Sequence, residues 1–164
     1  MTVELEHLFV SPGHDFYGRH GLGRLEHAIT DCESLELVAG KGIVGDRFYE
    51  YKENYKGQVT FFEAATWEAV KEEFALPELS PSAFRRNIVV RGMDLEELIG
   101  KRFSLGDLEF EGTQEAAPCY WMDEACAPGV EEFLKGRGGL RCRILKGGSL
   151  VKKQYELRSL GEVS

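Results

Sequence analysis

Lys101-Arg102-Phe103-Ser104-Leu105-Gly106-Asp107-Leu108-Glu109-Phe110-Glu111-Gly112 decides the fold class. Apolar and polar residues alternate on both sides of Gly106-Asp107, which is the period of a half-buried strand. A Gly-Asp pair between two such runs is a hairpin signal. Phe103 and Leu105 then share one face with Leu108 and Phe110, and that face is a candidate core.

Working outward, the same pattern recurs in short pieces cut by the 19 glycines. Val3–Val10, Ser34–Val38, Gln58–Phe62, Asn87–Val90, Leu140–Lys146 and Leu150–Leu157 all read as strands, besides Arg102–Leu105 and Leu108–Gly112. Helical signals are fewer. Phe62–Phe74 places Ala65, Ala69 and Val70 at helical spacing, with Glu68, Lys71, Glu72 and Glu73 toward solvent. Ser80-Pro81 reads as an N-cap followed by proline at the first helical position. Asp94 caps a short turn through Leu98, and Val130–Lys135 is a short helix ended by Gly136. Many strands and few helices predict a mainly β protein, a closed or partly closed β-barrel with a few short peripheral helices. Residues 1–33, rich in Gly and His beyond the Val3–Val10 run, are expected to form an irregular segment packed on that barrel, within a single domain spanning 1–164.

With 164 residues, the chain fits one domain and can bury a core without staples. A net charge of −8 argues against a general nucleic-acid binder, which needs a basic footprint. No apolar run approaches the length of a transmembrane helix, and the first residues lack the pattern of a signal peptide. The expectation is a cytoplasmic protein without membrane or nucleic-acid partners. Four cysteines with no CxxC pair do not make a disulfide framework.

Each cysteine therefore needs its own reading. In Leu140-Arg141-Cys142-Arg143-Ile144, alternation puts Cys142 with the apolar residues, as a small buried hydrophobe. The same alternation sends Arg141 and Arg143 to the opposite face together. Cys32 has no supporting pattern and reads as structural. Cys119 follows Pro118. A helix starting after that proline places the thiol at its positive end, which favours the thiolate, the form that acts as nucleophile and metal ligand. Taken alone, Cys119 reads equally well as an inert buried cysteine. Cys126, seven residues on, reads as a packing residue rather than a resolving thiol.

Two further stretches carry charge beside special backbone. Gly40-Lys41-Gly42-Ile43-Val44-Gly45-Asp46-Arg47 offers Asp46 and Arg47 to orient an anion or lock a turn. Phe84-Arg85-Arg86-Asn87 leads into an apolar strand, and barrels place ligand contacts at strand mouths. On composition alone a solvated loop fits equally well. His7, His14, His20 and His27 show no HxH or HExxH spacing, so no zinc site is expected. Ser11 and Ser149 lack a GxSxG context, and no phosphate-binding GxxxxGK[ST] loop occurs.

In order, Gly42–Arg47, Gly57-Gln58-Val59-Thr60, Arg85–Val89, Leu98–Asp107, Pro118-Cys119, Gly138–Cys142 and Lys146-Gly147-Gly148 resemble the MOSC family, the domain first seen at the C-terminus of molybdenum cofactor sulfurases. The resemblance runs from about 35 to 150. It departs at Phe48, where the family often has histidine, at Ala116-Ala117 before Pro118-Cys119, where it often has another cysteine, and at Lys152-Lys153. The resemblance implies a barrel of the pyruvate-kinase-like type that binds the molybdenum cofactor, a molybdopterin. Cys119 then matches the cysteine that ligates molybdenum or carries a persulfide. Arg85 and Asn87 match a cofactor-contacting Arg-x-Asn segment, and Asp46-Arg47 matches its Gly-Asp-Arg turn. Arg86, Arg141 and Arg143 join them as partners for a pterin phosphate.

The implied activity is cofactor-dependent reduction of a small compound of the N-hydroxylated type, with electrons from a partner protein. One alternative is a sulfur carrier, with Cys119 charged by a cysteine desulfurase, since no pyridoxal-phosphate domain fits in the chain. Another is a non-catalytic cofactor carrier. Pyridoxal phosphate enters only as a family-level association.

Overall fold

The structure, a computed structural model, describes residues 1–12 and 29–163. Eleven strands are present among these residues. Seven close into a barrel: β1 (Thr2–Val10), β5 (Val59–Glu63), β6 (Ile88–Arg91), β7 (Lys101–Leu105), β8 (Leu108–Glu115), β9 (Leu140–Lys146) and β11 (Gln154–Glu162). The order around the wall is β11-β7-β8-β9-β5-β6-β1, and β1 returns to β11. Closure pairs Thr2 with Glu156 and Val3 with Tyr155, so the two ends of the chain seal the barrel and leave no open edge there. Every neighbour pair is antiparallel except β5–β6. That parallel pair is joined by helix α1 (Ala64–Glu73), because a parallel connection needs a crossover. β2 (Thr30–Asp31) extends β1, and β3 (Ser34–Val38), β4 (Gly42–Ile43) and β10 (Gly148–Val151) form a small separate sheet.

The hairpin that opened the reading forms as expected. Phe103 pairs with Phe110 and Leu105 with Leu108. Phe61, Phe103 and Phe110 meet inside the barrel with ring centroids 5.4–6.0 Å apart. A second core lies outside the wall, where Phe62 stacks on Phe84 at 4.5 Å and Trp121, Met122, Val130 and Leu134 pack around them. Strand β5 is buried on both faces, Phe61 toward the barrel and Phe62 toward this outer core.

Several boundaries differ from the sequence reading. The strand read over Val3–Val10 forms as Thr2–Val10, so the first part of the 1–33 segment belongs to the barrel wall, with Val3, Leu5 and Leu8 buried in the core. The run Leu150–Leu157 breaks at Lys152-Lys153 into β10 and β11, which pair with different partners. Strand β5 continues through Glu63, so α1 starts at Ala64 and buries Ala64, Thr66 and Val70, leaving Ala65 exposed. Ser80 does cap a short 3-10 turn, Pro81–Phe84, by accepting from the Ser82 amide at 3.2 Å. Asp94 accepts from the Glu97 amide at 3.4 Å. Two short helices, α2 (Trp121–Ala125) and α3 (Val130–Phe133), cover the outer core. Among the described residues no helix is long and apolar enough to cross a membrane.

Candidate functional site

Cys119 lies between the end of β8 and the start of α2, packed against the outer core. It lines a cleft of about 220 Å³ together with Arg47, Arg85, Arg86 and Arg141. Phe48, Tyr55, Trp121 and Met122 supply apolar walls, and among the described residues no carboxylate lines the cleft. The structure thus gathers five of the eight predicted site residues into one hollow.

The other three are placed elsewhere. Asp46 is buried behind the wall. Its Oδ1 accepts from the Ser11 amide at 3.1 Å and from Asn87 Nδ2 at 3.3 Å, and its Oδ2 accepts from the Phe48 amide at 3.3 Å. Asn87 is equally occupied. Its Oδ1 accepts from Thr60 N and Thr60 Oγ1, and its Nδ2 also donates to the Phe9 carbonyl at 3.1 Å. Both amide donor positions and the acceptor are engaged inside the protein, so Asn87 fastens β1, β5, β6 and the Gly-Asp-Arg turn to one another. Arg143 shares a face of β9 with Arg141 but sits two residues along, about 7 Å further down the strand. There it pairs with Glu111 at 2.9 Å and donates to the Asn54 carbonyl at 3.2 Å. The arginines on that face therefore do not act as a pair.

The cleft arginines are held by oxygen acceptors of the protein. Arg47 donates to the Arg85 carbonyl at 3.2 Å, lies 3.7 Å from Asp46, and sits 4.9 Å from the centre of the Phe48 ring. Arg85 caps the 3-10 turn with φ 55° and ψ 38°. This left-handed backbone costs a residue with a Cβ about 1–2 kcal/mol, and its buried side chain donates to Ser11 Oγ at 2.9 Å. Arg86 donates to the carbonyls of Gly138 and Ala116 at 2.9 Å, Phe84 at 3.2 Å and Ala117 at 3.4 Å. Burial pushes its guanidinium down to about 10, which leaves it charged at neutral pH.

Arg86 therefore clamps the segment that leads into Pro118-Cys119. Gly138 and Gly139 complete the clamp. A Cβ at Gly138 would lie 2.3 Å from the Ala116 carbonyl oxygen, and one at Gly139 would lie 2.4 Å from that of Phe61. Only glycine allows this approach.

The remaining cysteines stand apart. Cys142 is fully buried in the barrel core, and burial pushes its thiol well up. Burial also pushes Cys126 up to about 11. Cys32 is raised by burial and by Asp31 beside it. His7 pairs with Asp31 at 3.0 Å on the outside of β1. His14, His20 and His27 lie outside the described residues.

A family model described as MOSC domain matches residues 40–157. The chain belongs to the MOSC domain family. The fold of this MOSC chain is shared with solved structures of low identity. The YuaD protein from Bacillus subtilis is 18% identical with a TM-score of 0.76, over 97% of each chain. YiiM from Escherichia coli is 16% identical with a TM-score of 0.70, over 100% of this chain and 72% of that one. YiiM from Geobacillus stearothermophilus is 13% identical with a TM-score of 0.68, over 96% of this chain and 75% of that one. No curated protein matches the sequence.

The donor set suits the cofactor associated with MOSC domains. Among the described residues no three His, Cys, Asp or Glu side chains gather to hold a bare metal ion. A metal that arrives inside a dithiolene cofactor would call on a soft protein donor, and the thiol that lines this cationic cleft is that of Cys119. Residues missed in the sequence reading are Ser11, Thr60 and Tyr55. Ser11 was set aside as a nucleophile, yet it binds Asp46, Arg47 and Arg85 at once. Thr60 could have been found, since it closes the Gly57-Gln58-Val59-Thr60 motif.

Proposed function

We propose that this MOSC protein holds a molybdenum–pterin cofactor in the arginine-lined cleft, with Cys119 as the protein ligand to the metal. The activity is a reduction of a small compound of the N-hydroxylated type, supplied with electrons by a partner protein. The observation that carries the reading is the single thiol that shares the cleft with four guanidiniums and, among the described residues, with no carboxylate. A thiolate is a soft ligand suited to a sulfur-coordinated metal, and cationic donors suit the phosphate of the pterin. Bound there, the cofactor supplies two-electron chemistry, and the protein supplies position and electrostatics.

The chain's own residues would act as follows. Arg86, Gly138 and Gly139 hold the Pro118-Cys119 segment against the barrel wall. Asp46, Asn87, Thr60 and Ser11 fix the turn that carries Arg47. Trp121, Met122 and Phe84 exclude water from one side of the cleft.

The test is elemental analysis for molybdenum, with pterin fluorescence, on wild type and Cys119→Ser from a host that makes the cofactor. Metal and pterin present in wild type, with the metal lost in the variant, is the expected result. Neither metal nor pterin in wild type overturns the reading. The cleft would then point to sulfur transfer, visible as a mass gain of one sulfur atom on Cys119.

A further inference from the structure

Four guanidiniums face the cleft, but they are not equivalent. Arg47 and Arg85 are tied to one another and to Ser11, and Arg86 is tied to four carbonyls. Arg141 differs. Its guanidinium makes no hydrogen bond or ion pair among the described residues.

The mount of Arg141 is nevertheless stiff. Its backbone is paired on both sides, with Thr60 of β5 and Gln114 of β8. Strand β8 carries an extra residue at Thr113, where the register shifts between Gly112 and Gln114. The Thr113 hydroxyl lies 2.8 Å from the Lys56 carbonyl oxygen and 2.9 Å from that of Arg141. A bulge of this kind re-aims side chains next to sites. The arginine stem runs alongside Gly57, where a Cβ would lie 3.5 Å from Arg141 Cδ, an ordinary packing distance, and 3.3 Å from the Tyr55 ring. The backbone is fixed, the stem is packed and the charged fork has no acceptor among the described residues.

A guanidinium is a rigid donor fork matched to carboxylate and phosphate. We infer that Arg141 takes the anionic group, a carboxylate or a phosphate, of the molecule that meets Cys119 in the cleft, while Arg47, Arg85 and Arg86 build its wall. The inference rests on Cys119 being the reactive centre of the cleft, as proposed above, and not on the metal or sulfur it carries. The anionic group belongs either to the bound cofactor, as its phosphate, or to the substrate.

The test compares alkylation of Cys119 by iodoacetate and by iodoacetamide in the cofactor-free full-length protein. In both reactions the sulfur displaces iodide, so the ratio of rates cancels the reactivity of the thiol and reports the charge that steers the anionic reagent. Arg141→Met is expected to lower the iodoacetate/iodoacetamide ratio about fivefold at low salt, the order expected for one unit charge in a partly hydrated cleft. Arg143→Met, whose charge is already matched by Glu111, should leave the ratio unchanged. Arg141→Gln gives the same comparison should the methionine variant fold poorly. A ratio unchanged in the folded Arg141 variant overturns the inference.

The two sources separate in protein from a cofactor-making host. Loss of pterin in Arg141→Met assigns the cofactor phosphate, and full pterin content assigns an anionic substrate. If wild type takes up no cofactor, the proposed function falls and the alkylation ratio still decides the role of Arg141.

Discussion

Replacing Asn87 with aspartate keeps the shape of the side chain and turns its one internal donor group into a carboxylate oxygen. In the wild type, Nδ2 donates to the Phe9 carbonyl at 3.1 Å and to Asp46 Oδ1 at 3.3 Å. In Asn87→Asp two carboxylates face each other at about that distance, both buried. Two unit charges 3.3 Å apart repel by about 5 kcal/mol at an effective dielectric of 20. Taking up a proton is the cheaper escape. At pH 7, holding a proton that the unfolded chain releases near pH 4 costs about 4 kcal/mol, at 1.36 kcal/mol per pH unit. The protonated group keeps one donor, so near pH 4 the substitution costs only about 1 kcal/mol for the second lost hydrogen bond.

Across the intervening range the folded variant binds one proton more than its unfolded chain. Its stability relative to wild type therefore falls as pH rises, by about 2 kcal/mol between pH 5.5 and 7. Urea denaturation followed by tryptophan fluorescence measures this difference at each pH, with Trp67 and Trp121 as probes. A destabilisation that does not change with pH, or none at all, would refute the coupling of Asn87 to Asp46. It would also return Asn87 to the role of a ligand contact.

Two further outcomes follow from geometry and burial. Gly138→Ala drives a Cβ against the Ala116 carbonyl oxygen at 2.3 Å and the Pro118 ring at 2.9 Å. It should cost about 1–3 kcal/mol by overpacking and change the alkylation rate of Cys119, and a variant as stable as wild type would contradict the clamp. Peptide mass mapping of the native protein after brief iodoacetamide treatment at pH 8 should find Cys142 unmodified. Cys126, pushed up to about 11 by burial, should react about a hundredfold more slowly than a thiol at its ordinary value and speed up about tenfold per pH unit. Modification of Cys126 as fast as Cys119 would revive it as a resolving thiol.

Much of the fold was legible because one face of each strand is dry. Phe103, Leu105, Leu108 and Phe110 alternate cleanly, and Leu140, Cys142 and Ile144 do the same, so the register of three neighbouring strands was written in their residues. What could not be read is non-local. Nothing local in Thr2–Val10 says that it pairs with β11 at the far end of the chain, and nothing in Val59–Glu63 says that its next neighbour in the chain is parallel. A strand buried on both faces loses its alternation, which is why Phe62 and Glu63 looked like the start of a helix. Lys152-Lys153 marked a turn, but two lysines serve a solvent-facing strand equally well.

The site shows the same limit more sharply. Sequence can nominate a residue type, but it cannot show whether its hydrogen-bonding capacity is already taken. Asp46 and Asn87 were nominated as contacts for a ligand, and the fold uses them internally, because a buried carboxylate or amide must find partners wherever the backbone brings them. Arg141 and Arg143 were nominated together because they alternate with Cys142. Their difference arises from Glu111, which reaches Arg143 across the β8–β9 ladder, and from the bulge at Thr113, which separates the two environments.

A chain of net charge −8 can present a cationic cleft because only local groups set the field there. Arg86 exemplifies this: its charge is solvated by neutral carbonyls rather than by a carboxylate, so it keeps Cys119 in place without cancelling the potential of the cleft. Replacing those carbonyl contacts with a salt bridge would hold the loop equally well and remove the charge. The use of neutral acceptors at that position is therefore the feature of this barrel that holds the Pro118-Cys119 segment and leaves the cleft cationic.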